Sequence, residues 1–380
     1  QLILHLVRQH QRLTKAEATR ITGLSPNAIS VIFRALEADG FLLRCDPIRG
    51  RIGQPSVPMR LNPDVRRYIG FQIGRRNYRL VLVDFAGNIL ARKAAVHAYP
   101  TPDSLLNFVE TSLPELLREA RCSREAVYAF NVATPFDLWS WTDETGAPQS
   151  AMDAWRSFDL RESLQERLKW PVRVENDGTA ACRAELVFGQ YKSAQDWAYF
   201  FIDNLIGGGV VLNGSVYPGR HGRAGGFGPL RVPDQLEGDR LIDHASLLIL
   251  ETMARGFVHE TQQRIYSEQG DWPSLEQFVQ PWLQRAGKGL AHAIVSTLAV
   301  IDFEAIVIDG AFPANVRERL VLEVERQLLR LDLQGIEMPE VIAGGFGGIA
   351  SALGAAAMQI SSEFMIDQNQ LLKRSSVIEA

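Results

Sequence analysis

Ser25, Asn27, Ser30 and Arg34 follow one another at offsets of two, three and four residues, and their side chains carry the chemistry for reading a nucleic-acid duplex. An asparagine amide donates to and accepts from one adenine edge, hydroxyls bond base edges or phosphate, and an arginine neutralises phosphate. Arg49 and Arg51 stand further on, in a stretch from Asp46 to Pro58 rich in Arg, Gly and Pro. Arginines so placed suit backbone phosphate or the minor groove. The partner these six residues imply is double-stranded DNA.

To act together they need a frame. Leu2, Ile3, Leu6, Val7 and His10 recur at helical spacing and give a first helix with one apolar face. Thr14, with Glu17 three residues on, is the capping-box start of a second helix that stops at Gly23. Ser25 and Pro26 supply an N-cap and a proline in the first turn of a third, from Asn27 to about Asp39, with Ile29, Ile32, Phe33 and Leu36 inside. Thr22-Gly23-Leu24 makes the pair a helix-turn-helix, whose second helix enters the major groove by its N-terminal part. Phe41 to Arg44 and Met59 to Leu61 then read as a two-stranded wing with Arg49 and Arg51 at its tip. The blander alternative is a small helical packing domain whose arginines are a solvated face.

Charge divides the same way. The chain of 380 residues has 40 Lys plus Arg against 44 Asp plus Glu, a net charge of -4. Residues 1–67 hold 11 of the basic and five of the acidic residues, +6, so the remaining 313 carry 29 against 39, or -10. A basic module joined to an acidic body again points to a nucleic-acid contact at one end. With 46% hydrophobic and 22% charged residues the composition excludes a disordered, collagen-like or disulfide-built chain and gives two or three domains. The longest apolar runs, Ile294 to Ile301 and Leu247 to Met253, fall well short of the ~20 residues that span a bilayer. Nothing resembles a signal peptide, and Cys45, Cys122 and Cys182 are far apart. A soluble, cytoplasmic protein without membrane partners is expected.

From Tyr68 the pattern turns to strands: Tyr68 to Gly74, Tyr78 to Asp84 and Asn88 to Arg92. A helix from Ser104 to Ala120, a strand from Ala126 to Ala133, a Trp-rich polar segment, a helix from Leu160 to Leu168 and a strand from Val172 to Val174 follow. Alternating strands and helices indicate an α/β architecture. Further on come an apolar helix Leu290 to Val300, a strand Ala305 to Gly310, a helix Asn315 to Leu331, and Val341 to Gly347 leading into a helix Ile349 to Met358.

This order of elements carries Val174-Glu175-Asn176-Asp177-Gly178-Thr179-Ala180-Ala181, then Ile206-Gly207-Gly208-Gly209-Val210, then Gly219 to Gly225. It resembles the ROK family of sugar kinases and sugar-responsive repressors, whose repressor branch also carries a winged helix-turn-helix in front. The resemblance covers nearly the whole chain. It implies a winged helix-turn-helix over residues 1–62 and a two-lobed, actin-like or hexokinase-like body in a homodimer or homotetramer. Residues 63–178 with the C-terminal helix 346–360 would form the first lobe, residues 179–345 the second, and residues 361–380 a tail.

The departures from the kinase pattern bear on function. Kinases of the family open the first lobe with Asp-Ile-Gly-Gly-Thr, where this chain has Gln72-Ile73-Gly74-Arg75-Arg76. A phosphate-cradling Gly-Thr-Gly of the second lobe is replaced by Asp203-Asn204-Leu205. Phosphoryl transfer rests on positioning and neutralising phosphate, so its loss is expected, with no cofactor and no catalytic residue. The resemblance makes Asp177 the position of the sugar-hydroxyl base and Asn176 a sugar contact. An amide beside a carboxylate suits a polyol, although both also suit the N-terminus of the next helix. The sugar-gripping Gly-Glu-x-Gly-His is here Gly225-Gly226-Phe227-Gly228-Pro229. The zinc cluster that normally follows is absent, and His221, His244 and His259 do not make the four ligands zinc needs, so no metal is expected. Trp139 and Trp141, with Asp153 nearby, are candidates to line the cleft, while Trp155 reads as packing.

The expectation is a non-catalytic, DNA-binding regulator of carbohydrate genes, a repressor controlled by a sugar or sugar derivative in the cleft. The rivals are a sugar kinase with an appended DNA-binding domain and a ligand-independent DNA-binding protein.

Overall fold

The computed structural model describes residues 1–48, 56–140, 142, 146–189, 194–233, 239–268 and 270–366. The chain opens with α1 (Leu2–His10), β1 (Arg12–Leu13), α2 (Lys15–Thr22) and α3 (Pro26–Ala38), followed by β2 (Leu42–Arg44) and β3 (Met59–Leu61). Thr14 Oγ1 accepts from Glu17 N at 3.2 Å while Glu17 Oε2 accepts from Thr14 N at 2.8 Å, a closed capping box. Gly23, at φ 70°, ends α2 in the left-handed region, where a residue without Cβ is unstrained. Ser25 caps α3 by accepting from Ala28 N. The two expected strands are joined by a third: β3 lies between β2 and β1, antiparallel to both. At two residues, β1 is too short to leave a sequence pattern. Paired backbone continues from β2 and β3 to Ile48 and Ser56, and Arg49 and Arg51 lie outside the described residues.

The first sheet of the body contains β4 (Arg67–Ile73), β5 (Asn77–Asp84), β6 (Ile89–Val96), β7 (Val127–Thr134) and β8 (Val172–Asn176) in the order β6-β5-β4-β7-β8. Strands β4 to β6 form the expected meander, and β7 and β8 run parallel to β4. Side chains alternate across this sheet. Ile69, Phe71, Leu80 and Leu82 pack with α4 (Pro102–Glu119) and α5 (Leu160–Leu168) on one face, whereas Tyr68, Val81 and Val83 face the other.

The second sheet has β9 (Trp197–Ile202), β10 (Ile206–Leu212), β11 (Ser215–Val216), β12 (Ala305–Gly310) and β13 (Glu340–Ala343) in the order β11-β10-β9-β12-β13. All six residues of β9 are buried, so it shows the continuous apolar run of a strand covered on both faces rather than an alternation. Helices α6 (Asp177–Phe188), α7 (Leu247–Ala254), α8 (Thr261–Tyr266), α9 (Glu276–Leu298), α10 (Ala314–Leu328) and α11 (Ala350–Phe364) complete the body. α9 begins well before the apolar stretch at Leu290, because Val279, Trp282, Leu283 and Ala286 also face the second-lobe core.

α6 and α11 form a close pair between the sheets. A Cβ on Gly354 would overlap the carbonyl of Ala180, and one on Gly70 the carbonyl of Ala352, so glycine is what permits this approach. The helix expected to end at Met358 runs on to Phe364, so residues 361–364 belong to it. Its last turn meets the N-terminal module: Phe41, Phe85 and Phe364 form a ring cluster with centroids 5.1–5.6 Å apart. Arg66 lies 3.9 Å from the Tyr128 ring and pairs with Glu363 at 2.9 Å. Arg8 of α1 is buried and donates to Phe85 O at 2.6 Å. One hydrophobic cluster therefore runs from Ile3, Val7 and Phe33 to Val81, Leu353 and Ile360, so the module is docked on the first lobe and α11.

Candidate functional site

Two regions gather the residues singled out in the sequence. The first is the outer face of α3. Ile29 and Phe33 are buried, which turns Asn27 and Arg34 outward, both exposed, with Ser30 half-buried between them. Ser25 is exposed but its hydroxyl is occupied as the N-cap, 3.2 Å from Ala28 N. Arg34 Nε donates to Ser30 O at 3.2 Å. Arg12, Lys15 and Arg20 are exposed on the adjoining elements, and Arg44 is paired with Glu37 at 2.6 Å.

The second is a cavity of about 250 Å³ between the lobes. That is below the ~300 Å³ at which drug-sized pockets begin, so it suits a small molecule. It opens at the C-terminal ends of β4, β7 and β8, where ligands of open α/β sheets bind. Gly74, Arg75, Phe136 and Asp137 line one side, Asp203 to Gly208 and Arg223 to Gly226 (Ala224 apart) the other, and Asn176 and Asp177 the end.

Asn176 is the N-cap of α6, its Oδ1 accepting from Gly178 N at 3.1 Å and Thr179 N at 3.2 Å. Its Nδ2 donates to Asp177 Oδ1 at 3.0 Å, which also accepts from Gly178 N at 2.9 Å. Capping and cavity lining thus coexist. Burial, aided by the nearby Asp203 carboxylate and opposed by the Gly178 N–H and Arg75, pushes the Asp177 carboxyl up to about 6. Asp177 Oδ2 has no hydrogen-bond partner among the described residues, which leaves an acceptor for a ligand hydroxyl.

Trp139 and Asp153 do not line this cavity. Asp153 is exposed, pairs with Arg156 at 3.0 Å and accepts from Gln149 at 2.7 Å, which hold its carboxyl below the usual range. The Arg156 guanidinium lies 5.5 Å from the Trp139 ring, which packs against the first-lobe core. Both were drawn into the cleft by composition alone, and local pairing holds them elsewhere. Trp141 lies outside the described residues. The aromatic wall is Phe136, with the Arg223 guanidinium 4.7 Å from its ring and paired with Asp137 at 2.9 Å. Its only sequence signal was its place just beyond β7.

The positions that depart from the kinase pattern come together beside the cavity. Gln72 Nε2 donates to Asp203 Oδ2 at 3.0 Å, and Arg79 NH1 donates to Gln72 Oε1 at 3.1 Å and lies 3.5 Å from Asp203. Arg76 is not open to an anion: its Nε and NH2 reach Glu251 of α7 at 3.3 and 3.4 Å. Glu251 also accepts from Gln262 at 2.9 Å and from the Tyr266 hydroxyl at 3.1 Å, and that hydroxyl accepts from Asn204 Nδ2 at 2.9 Å. Arg76 and Glu251 are 4% and 2% exposed, so this network ties the lobes together out of water. At the far turn the amides of Phe346 and Gly347 donate to Asp309, which also pairs with Arg317 at 3.0 Å, and Gly345 N donates to Glu185.

His244 is buried with Nε2 3.2 Å from Asp239, whereas His221 and His259 are exposed. A larger open groove of about 920 Å³, between β8, β11 and the end of α11, is lined by Val174 and Glu175 of the segment Val174 to Ala181 but by none of the candidate site residues.

Residues 68–240 match the model of the ROK family. The protein y4fQ of Sinorhizobium fredii is 24% identical over 366 residues, 95% of this chain and 90% of that protein. The xylose repressor of Bacillus subtilis is 22% identical over 231 residues, 61% of this chain and 59% of the repressor, so the match spans less than two thirds of that relative. A ROK family transcriptional regulator, a homologue of the E. coli MLC protein, superposes with a TM-score of 0.63 at 18% identity over 94% of each chain. The ROK family glucokinase of Streptomyces griseus, solved with glucose and AMPPNP, gives 0.58 at 20% identity over 77% of this chain and 98% of the kinase. At these identities the two structures establish the shared α/β fold.

Proposed function

We propose that this chain, which carries a ROK family domain over residues 68–240, is a sugar-responsive regulator that binds operator DNA through residues 1–62 and a sugar or sugar derivative in the cavity at Asn176 and Asp177. The observation that carries this reading is the buried network of Gln72, Arg76, Arg79, Asp203 and Glu251. It fills with the protein's own cations and carboxylates the positions at which the resemblance would place phosphate, and it leaves the sugar end of the cleft open. The relatives named as repressors support the same reading.

Control follows from geometry. Ser351 Oγ, in the first turn of α11, donates to Asp177 O at 2.9 Å, while Phe364 in the last turn packs on Phe41 of the N-terminal module. A ligand that binds differently to two lobe arrangements shifts their populations through that helix, and with it the fit of paired reading helices to half-sites about 34 Å apart. The pairing is that of a homodimer or homotetramer, and the product is a repressor. Residues 63–178 with 346–360, and residues 179–345, are the units that move.

The test is a thermal-shift screen over sugars, sugar acids and sugar phosphates, followed by DNA binding with and without each stabilising compound. A compound that stabilises the chain and changes operator affinity is expected; operator binding indifferent to every compound sinks the sugar-responsive reading. A second reading has one observation behind it: an Asp177 carboxyl raised to about 6 beside a small cavity is suited to a general base. ATP turnover over the same panel decides it, and none is expected.

A further inference from the structure

The outer face of α3 presents one residue that amide and phosphate chemistry leaves unused. Val31 is 51% exposed, one turn beyond Asn27 and one turn before Arg34. These three share one stripe, opposite buried Ile29 and Phe33. Ile21 and Leu24, at the end of α2 and in the turn before α3, are also exposed apolar side chains of the helix-turn-helix. Arg12, Lys15, Arg20 and Arg34 of the same module are exposed as well. An exposed valine on one stripe with an amide and an arginine is complementary to a major groove in A·T sequence. There adenine offers N7 and N6 to an amide, and thymine exposes its C5 methyl. Four residues of helix advance about 6 Å, one to two base-pair steps of roughly 3.4 Å.

We propose that Val31 selects the operator by packing on a thymine C5 methyl, one or two steps from the adenine bonded by Asn27. The reading helix therefore demands A·T pairs at both positions of each half-site. This rests on residues 1–62 being a DNA reader, and it specifies what that reader reads.

The experiment selects sites from a random duplex library with the full chain. Each thymine of the selected half-site is then replaced in turn by deoxyuridine, which deletes the methyl group and nothing else. At one thymine within two steps of a required adenine, the replacement is expected to weaken wild-type binding roughly three- to fivefold, the value of one desolvated methyl group. The Val31→Ala protein is expected to bind thymine and deoxyuridine sites alike. Asn27→Ala should lose the adenine preference and keep the methyl effect. Because Val31 is exposed, the variant keeps its fold, which thermal melting checks. A wild type indifferent to deoxyuridine at every position, or a Val31→Ala protein that still discriminates, overturns the assignment while DNA reading stands. Enrichment of no sequence at all removes the reader itself, and this inference with it.

Discussion

Asp177 carries two demands that pull against each other. Its place in the first turn of α6 favours a carboxylate, yet burial and the neighbouring Asp203 raise its carboxyl from 3.8 to about 6. A carboxyl with a raised folded-state value binds its proton more tightly folded than unfolded. Its contribution is therefore favourable at low pH and is lost as pH climbs from about 4 through about 6. Asp177→Asn, which cannot ionise, should be more stable than wild type above pH 6 by on the order of 3 kcal/mol and close to it near pH 4, in denaturant unfolding at a series of pH values. The same residue should make effector binding pH-dependent. Oδ1 is taken by Asn176 and Gly178, and ionisation makes the remaining Oδ2 a charged acceptor for a ligand hydroxyl, so affinity measured by calorimetry should fall as pH drops through about 6. Asp177→Ala should cost at least about tenfold in effector affinity, and unchanged affinity would reduce the residue to a helix cap.

At the level of elements, α11 and the α7–α8 pair decide how the lobes are held. Glu251 on α7 takes Arg76 from the first lobe and Tyr266 from α8 in buried contacts, and Gln262 in a half-buried one. A buried pair adds little net stability, but removing one partner strands the other, so Glu251→Ala should lose about 3–5 kcal/mol in denaturant unfolding. Leu at the same position, with Arg76→Met, should recover much of that loss, since matched apolar replacement avoids the stranded charge. Phe364 closes the ring cluster under the N-terminal module. Phe364→Ala should lose about 2–4 kcal/mol, and amide exchange should quicken in α1 to α3 more than in the two sheets. Uniform quickening would place the cluster in the common core instead.

For the whole molecule, under the proposed function, charge separation governs association with DNA. A module of +6 on a body of -10 leaves one surface to approach the duplex, and affinity should fall steeply with salt. Removing Arg49 and Arg51 together should flatten the slope of log affinity against log salt by about 2. An unchanged slope measured by fluorescence anisotropy would take the wing out of the interface. Within the acidic body, the cavity between the lobes brings two arginines, Arg75 and Arg223, among the converging carboxylates of Asp137, Asp177 and Asp203.

Much of this was legible from local pattern. The capping box at Thr14, the Ser25-Pro26 start of α3 and the Asn176-Asp177 start of α6 depend on contacts a few residues apart, and the meander β4 to β6 pairs strands adjacent along the chain, all of which spacing records. β9 was not: it is an apolar run buried on both faces, which periodicity alone does not tell from a buried helix segment, and no Gly-bounded turn marks its start as one marks the end of β12. Nor was the site as a whole. Arg76 and Glu251 are 175 residues apart, and Gln72 and Asp203 are 131 apart. No periodicity couples such pairs, so the sequence shows missing phosphate-binding residues without showing what replaces them. Trp139 and Asp153 mark the same limit: their types suit a sugar site, and only packing turns them toward Arg156. What the sequence determines by itself is the identity of each capped helix, the charge of each part and where the cleft departs from the kinase pattern it resembles. Tertiary structure alone decides which of the remaining side chains face the cavity and which are consumed in holding the lobes together, because burial pairs groups that are remote along the chain.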